Sequence, residues 1–220
     1  EIRARPGAVA FSAAGVLARL PISTVGIGVV LAVSATYGSY ALAGQVAAVV
    51  VLTQAAFSPL LSRLVDRRGQ AAVMGPAVAT TVVGLVVLAA TAAVTGPAWL
   101  LYLGAALVGA TMGSVGALVR ARWSHLLTRP ADIHTAYSWE STLDEVVFMV
   151  GPILATLLAT SVTPTGGLLL AAVAAGVGGW LLLAQRSTEP PAGSSGPRRS
   201  PRIVGGPLLV LVGTFVGMGA

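Results

Sequence analysis

Four charged residues stand where a lipid-buried chain carries none. Arg19 lies inside an apolar run that opens near Ala8, and Glu140, Asp144 and Glu145 lie at the start of another. A charge near mid-membrane costs on the order of 3 kcal/mol by insertion scales, so each of these needs a partner or water. Glu140 and Asp144 are four residues apart and share one helical face, whereas Glu145 is rotated about 100° from Asp144. Like charges at that spacing repel, which predicts arginine partners or a carboxylate that keeps its proton. Counted from about Val9, Arg19 lies roughly 15 Å along its helix; counted from about Ala136, Asp144 lies roughly 12 Å along its own. The matching depth predicts that Arg19 pairs with Asp144 or Glu145. Two roles fit such a cluster: proton coupling, or an interfacial group of acids that balances Arg120 and Arg122 at the end of the fourth span.

A second constellation runs from Pro59 to Gln70 and holds Ser62, Arg63, Asp66, Arg67, Arg68 and Gly69. An Asp at a tight turn can accept hydrogen bonds from a facing helix N-terminus, where the dipole favours negative charge. The arginines can pair with carboxylates across an interface. The plainer reading is a solvated turn. Gln45 and Gln54 in the second span could bond a substrate or simply pack as a polar pair. His125 and His134 have no ligand spacing, and cysteine is absent, so no metal and no cofactor is expected. With no P-loop, HExxH or nucleophile elbow, neither ATP-driven transport nor hydrolysis has a foothold, and no enzyme is expected.

The elements that must position these residues are membrane spans. Hydrophobic residues make up 55% of the 220 and charged residues 9%, with a mean hydropathy of +0.88; a soluble domain carries about 25% charged residues. About 20 apolar residues cross a bilayer core as a helix, and six segments qualify: 8–33, 40–62, 71–93, 98–119, 138–160 and 165–185. An all-α polytopic protein follows, because backbone in lipid must pair internally. Gly151-Pro152 predicts a kink in the fifth span, Pro21 and Pro76 predict bends in the first and third, and Gly109 to Gly113 forms a GxxxG suited to close packing.

The 13 basic residues are all arginine, and all but Arg19 cluster at Arg3/Arg5, Arg63/Arg67/Arg68, Arg120/Arg122/Arg129 and Arg186/Arg198/Arg199/Arg202. Loops between alternate pairs of spans contain none. That alternation predicts a cytoplasmic N-terminus and makes topology, not nucleic acid, the reason for the +6 charge. Tyr37, Tyr40, Trp99 and Tyr102 read as one aromatic belt, with Trp123, Trp139 and Trp180 as the other. Residues 187–202 are rich in Pro, Gly and Ser and read as a flexible cytoplasmic linker. It separates a six-helix bundle (1–186) from an apolar run at 203–220 that reads as a seventh helix cut short. The chain is therefore expected to be part of something longer, with a second half missing.

Asp66, Arg67 and Gly69 carry a resemblance to the major facilitator superfamily of secondary transporters, whose loop between helices 2 and 3 has Gly, three residues, Asp, Arg or Lys, one residue, then Gly. Here Ser62 replaces the leading Gly, and Gln70-Ala71 replaces the trailing basic pair. Gly151-Pro152 in the fifth span resembles the Gly-Pro core of the drug/proton antiporter branch, while Val147 and Ala155 stand where its longer motif has glycines. The resemblance implies the N-terminal six-helix bundle of that fold, truncated in helix 7, with helices 1, 2, 4 and 5 around a cavity. It implies a plasma-membrane transporter working by alternating access, its helix 2–3 loop acting as a gate. Its partners would be a small-molecule substrate, protons, the lipid bilayer and the missing C-terminal half. Apolar cavity walls and Gly151-Pro152 tilt the expectation towards proton-coupled efflux of an amphipathic compound. Uptake of a sugar or other metabolite, or an inactive half-transporter or scaffold, stand as alternatives.

Overall fold

The computed structural model describes residues 7–193. Arg3, Arg5, Arg198, Arg199, Arg202, the later part of the expected linker and the expected seventh helix at 203–220 lie outside the described residues. Among the described residues seven α-helices follow one another: α1 (Ala8–Tyr37), α2 (Tyr40–Arg68), α3 (Gln70–Ala93), α4 (Ala98–Thr111), α5 (Val115–Leu126), α6 (Pro130–Ser161) and α7 (Gly166–Ala184). They form six stretches long and apolar enough to cross a membrane, with α4 and α5 together making the fourth. No strand occurs among the described residues. This is an all-helical, multi-pass membrane protein.

Helix boundaries follow local chemistry. Ser39 caps α2 by accepting from Leu42 N at 3.2 Å, and Gly38 ends α1 with a left-handed φ of 65°. Pro130 opens α6 at a first-turn position where its missing N–H has no cost, with Asp132 beside the positive helix end. Three expected boundaries move. The second span does not stop at residue 62: its helix continues through Pro59 to Arg68, so the expected loop contracts to Gly69. The fifth span starts eight residues earlier than 138, because the polar segment from Pro130 extends the helix beyond the apolar run. The fourth span is not one helix over 98–119. It breaks at Met112–Ser114 and resumes to Leu126, so Arg120 and Arg122 lie inside a helix, not at its end. At the break, Gln54 Nε2 donates to the Met112 carbonyl at 3.4 Å, one partner for backbone the helix has released.

Helix α1 is the axis of the bundle, packed against α7, α6, α2 and α5; α3 and α4 close the far side. Val25, Val29 and Val33 of α1 meet Val46, Leu85, Leu101 and Leu168 in one apolar core. A second core holds Phe11, Trp123, Leu127 and Leu182, where Phe11 and Trp123 meet edge to face at 4.8 Å between centroids. Such aromatic pairs contribute about 0.5–1.5 kcal/mol beyond area burial. Small residues let the backbones approach: Gly178 lies on the backbone of Leu17 and Ala18, and Gly109 lies against Thr53 and the Val50 carbonyl. Burial is uneven. Half of the apolar window of α1 is buried, but only 17% of that of α2 and of α6, which leaves two helices with largely uncovered faces.

Candidate functional site

Arg19 and Glu140 are the charges the fold treats most unusually. Arg19 is 4% exposed and Glu140 is fully buried, though both lie within membrane-length helices. The Arg19 guanidinium is held at three points. Its Nε donates to the Gly15 carbonyl one turn back at 3.0 Å, one terminal nitrogen donates to Asp144 Oδ1 at 2.6 Å, and the other bonds Glu140 Oε2. Glu140 Oε1 accepts from Ser12 Oγ at 2.6 Å and from Trp123 Nε1 at 2.8 Å. Asp144 Oδ2 accepts from Arg120 at 2.7 Å. Asp144 and Arg120 form the open edge of the cluster, 25% and 31% exposed.

Two arginines and two carboxylates thus form one chain, Arg120–Asp144–Arg19–Glu140, with no net formal charge. It ties α1, α5 and α6 together. Burial of an isolated ion is prohibitive, and only pairing with additional hydrogen bonds offsets it. Ser12 and Trp123 supply those bonds to Glu140. Asp144 also lies beside the first turn of α5, where Gly116 leaves room for the Arg120 and Arg19 side chains.

The expected partner of Arg19 was Asp144 or Glu145. Asp144 is one partner, and Glu140 takes the place proposed for Glu145, which is exposed and makes no ion pair among the described residues. The reason is rotational: Glu140 and Asp144 face α1 together, and Glu145 points a quarter-turn away. Ser12 joins the site without having been expected there, although it precedes Arg19 by seven residues and so shares its face. Trp123, expected in an interfacial belt, is 2% exposed and serves as a buried donor; no spacing in the chain announces that contact.

Arg122 is not part of this cluster. It is fully buried, with its Nε on Gln70 Oε1 at 2.9 Å and a terminal nitrogen on the Gln185 carbonyl and Thr188 Oγ1 at 2.9 and 2.8 Å. Nearby Glu189 accepts from Ala71 N at 2.9 Å, at the positive end of α3. The Gly193 N–H donates to the Asp66 carbonyl at 2.8 Å. Residues 188–193, the start of the expected linker, are therefore seated against the α2–α3 junction.

At that junction Gly69 has φ 90° and ψ 160°, a region open only to glycine. Ser62, Arg63, Asp66, Arg67 and Arg68 are exposed on the last turns of α2. Ser62 Oγ donates to the Ser58 carbonyl at 3.0 Å, and no ion pair forms among the described residues of this group. Gln45 accepts from Tyr102 at 2.6 Å and Gln54 is turned to Met112, so both glutamines have partners within the bundle. Gly151 packs on Ser23 of α1, and α6 passes through Pro152 without a break. No group of metal-ligating side chains is found among the described residues.

A bundle of six membrane-length helices with an internally compensated charge chain defines a polytopic membrane protein that buries charge within an otherwise apolar interior. The family model described as Major Facilitator Superfamily matches residues 11–220, and the chain belongs to that superfamily of membrane transporters. Neither the search of curated proteins nor that of solved structures finds a match.

Proposed function

We propose that the protein is a secondary transporter that exports an amphipathic small molecule across the plasma membrane in exchange for protons, by alternating access, with its N-terminus cytoplasmic. The observation that carries the reading is the charge chain itself. Arg120 and Asp144 form a partly exposed polar edge inside the span of membrane helices, and a charged edge at that depth is tolerated where it lines a wet cavity. Carboxylates of α6 are then placed to exchange protons with that cavity. The uncovered faces of α2 and α6 support a second six-helix half as the partner against which this one rocks, with Asp66 and the arginines of the α2 end at the contact.

The test is flux in proteoliposomes holding the protein in its full reading frame, with an imposed pH gradient and a panel of permanently charged and neutral fluorescent amphiphiles. Accumulation of at least one probe in acid-loaded vesicles, abolished by nigericin and absent from protein-free liposomes, is expected. Movement in the same direction as protons, or no gradient-dependent flux for any probe, sinks the export reading.

A further inference from the structure

At the end of the bundle where α1 begins, α1 and α6 do not close on each other. A groove of about 710 Å³ opens between them, within the range of about 300–1,000 Å³ typical of small-molecule sites. Val9, Val16 and Leu17 of α1 form one wall, and Trp139 and Leu143 of α6 form the other. Ser12 and Trp123 form the floor, 5% and 2% exposed. These are the two neutral donors to Glu140 Oε1. Water standing on that floor would compete for both donors, whereas an apolar occupant leaves them to the buried carboxylate.

The groove has a polar mouth and an apolar depth. Thr135 lines it one turn outward of Trp139, and a further turn outward the same face of α6 reaches Asp132. Arg129 stands beside Asp132 at 4.0 Å and is 73% exposed; a pair this open holds its charges weakly. In the sequence Arg3 and Arg5 precede α1, so arginines outnumber Glu1 and Asp132 at this end. From Thr135 to Leu143 the groove follows α6 for about 12 Å, and from Ala8 to Leu17 it follows α1 for about 14 Å. One leaflet of a bilayer core is about 15 Å deep. The open edge of the charge chain lies on the other flank: Ser141, which accepts from Arg120 at 3.5 Å, is about 200° around α6 from Leu143.

We propose that this groove binds one acyl chain of an anionic phospholipid, with the phosphate at Arg129 and the chain lying on Ser12 and Trp123. Its length and its polarity gradient select a lipid over a soluble solute. The surplus of arginine at the mouth selects an anionic head, and Trp139 on the wall suits the interfacial level. The site stands apart from the transport reading and holds whichever way the protein moves its substrate.

Tryptophan quenching in nanodiscs tests this on the protein in its full reading frame. Replacing the other tryptophans with Phe, the exposed Trp99, Trp139 and Trp180 included, leaves Trp123 as the reporter. Phosphatidylglycerol brominated along its acyl chain, titrated into phosphatidylcholine, is expected to quench Trp123. Brominated phosphatidylcholine should need a fraction about fivefold higher for equal quenching. Ala13→Phe, at an exposed position lining the groove, fills it and is expected to abolish the quenching, with a melting temperature within about 2 °C of the parent. Arg129→Gln, on a side chain 73% exposed, decides independently and is expected to equalise the two lipids. Unquenched Trp123, the result if the rest of the transporter covers the groove, overturns the assignment. So does quenching retained in Ala13→Phe, an equal response to the two lipids with Arg129 in place, or an undiminished preference in Arg129→Gln.

Discussion

Replacing Arg19 with Met keeps an unbranched, flexible side chain but shortens it and removes its charge. The chain of two cations and two anions becomes one cation and two anions. Asp144 retains Arg120 at 2.7 Å, but Glu140, fully buried, keeps only the neutral donors Ser12 and Trp123. Breaking a buried pair by removing one partner costs about 3–5 kcal/mol. At about 2–4 °C per kcal/mol for a chain of this size, the melting temperature should fall by about 6–20 °C. Adding Glu140→Gln restores neutrality and leaves an amide that still accepts from Ser12 and Trp123. The double variant should therefore be more stable than Arg19→Met alone, recovering about 2 kcal/mol or more. Tryptophan fluorescence during thermal unfolding in detergent reads both, since Trp123 reports from inside the site. An Arg19→Met protein melting within about 2 °C of wild type, or a double variant destabilised by the full sum of the singles, would refute the reasoning.

Two glycines carry further predictions. Gly69→Ala places a side chain at φ 90° and ψ 160° and within 3.1 Å of Glu189 Oε1; a loss of about 1–3 kcal/mol is expected in the same melting assay, with faster proteolysis after α7 as Glu189 is displaced. Gly109→Ala drives a methyl group into Thr53 Oγ1 and the Val50 carbonyl, so α4 must separate from α2. Size-exclusion profiles should show loss of the monodisperse peak, whereas Gly44→Ala, in open space on the same α2, should leave it unchanged.

How much of the molecule is legible in its sequence varies with the physics involved. Six spans can be read because lipid admits only internally paired backbone, and that rule acts on local composition. The similar depth of Arg19 and Asp144 is legible too, since helical rise turns sequence distance into height. Choosing Glu140 over Glu145 requires knowing where α6 begins and how it is rotated against α1. Hydropathy puts the start of that helix eight residues late, because it marks where lipid begins, not where the helix does. The break at Met112–Ser114 leaves no apolar or charge signature. The separate lodging of Arg122 with Gln70 and Thr188 joins residues up to 118 positions apart in neighbouring bonds, which no spacing rule reaches.

By itself, then, the sequence determined that this is an all-helical membrane protein whose charges are few and must be compensated, because the bilayer penalises each one locally. Tertiary structure alone decided which charges compensate one another and which acid is left over. Partner choice depends on helix rotation and on the close approach of α1, α5 and α6, and those are set by packing across the bundle, not along the chain.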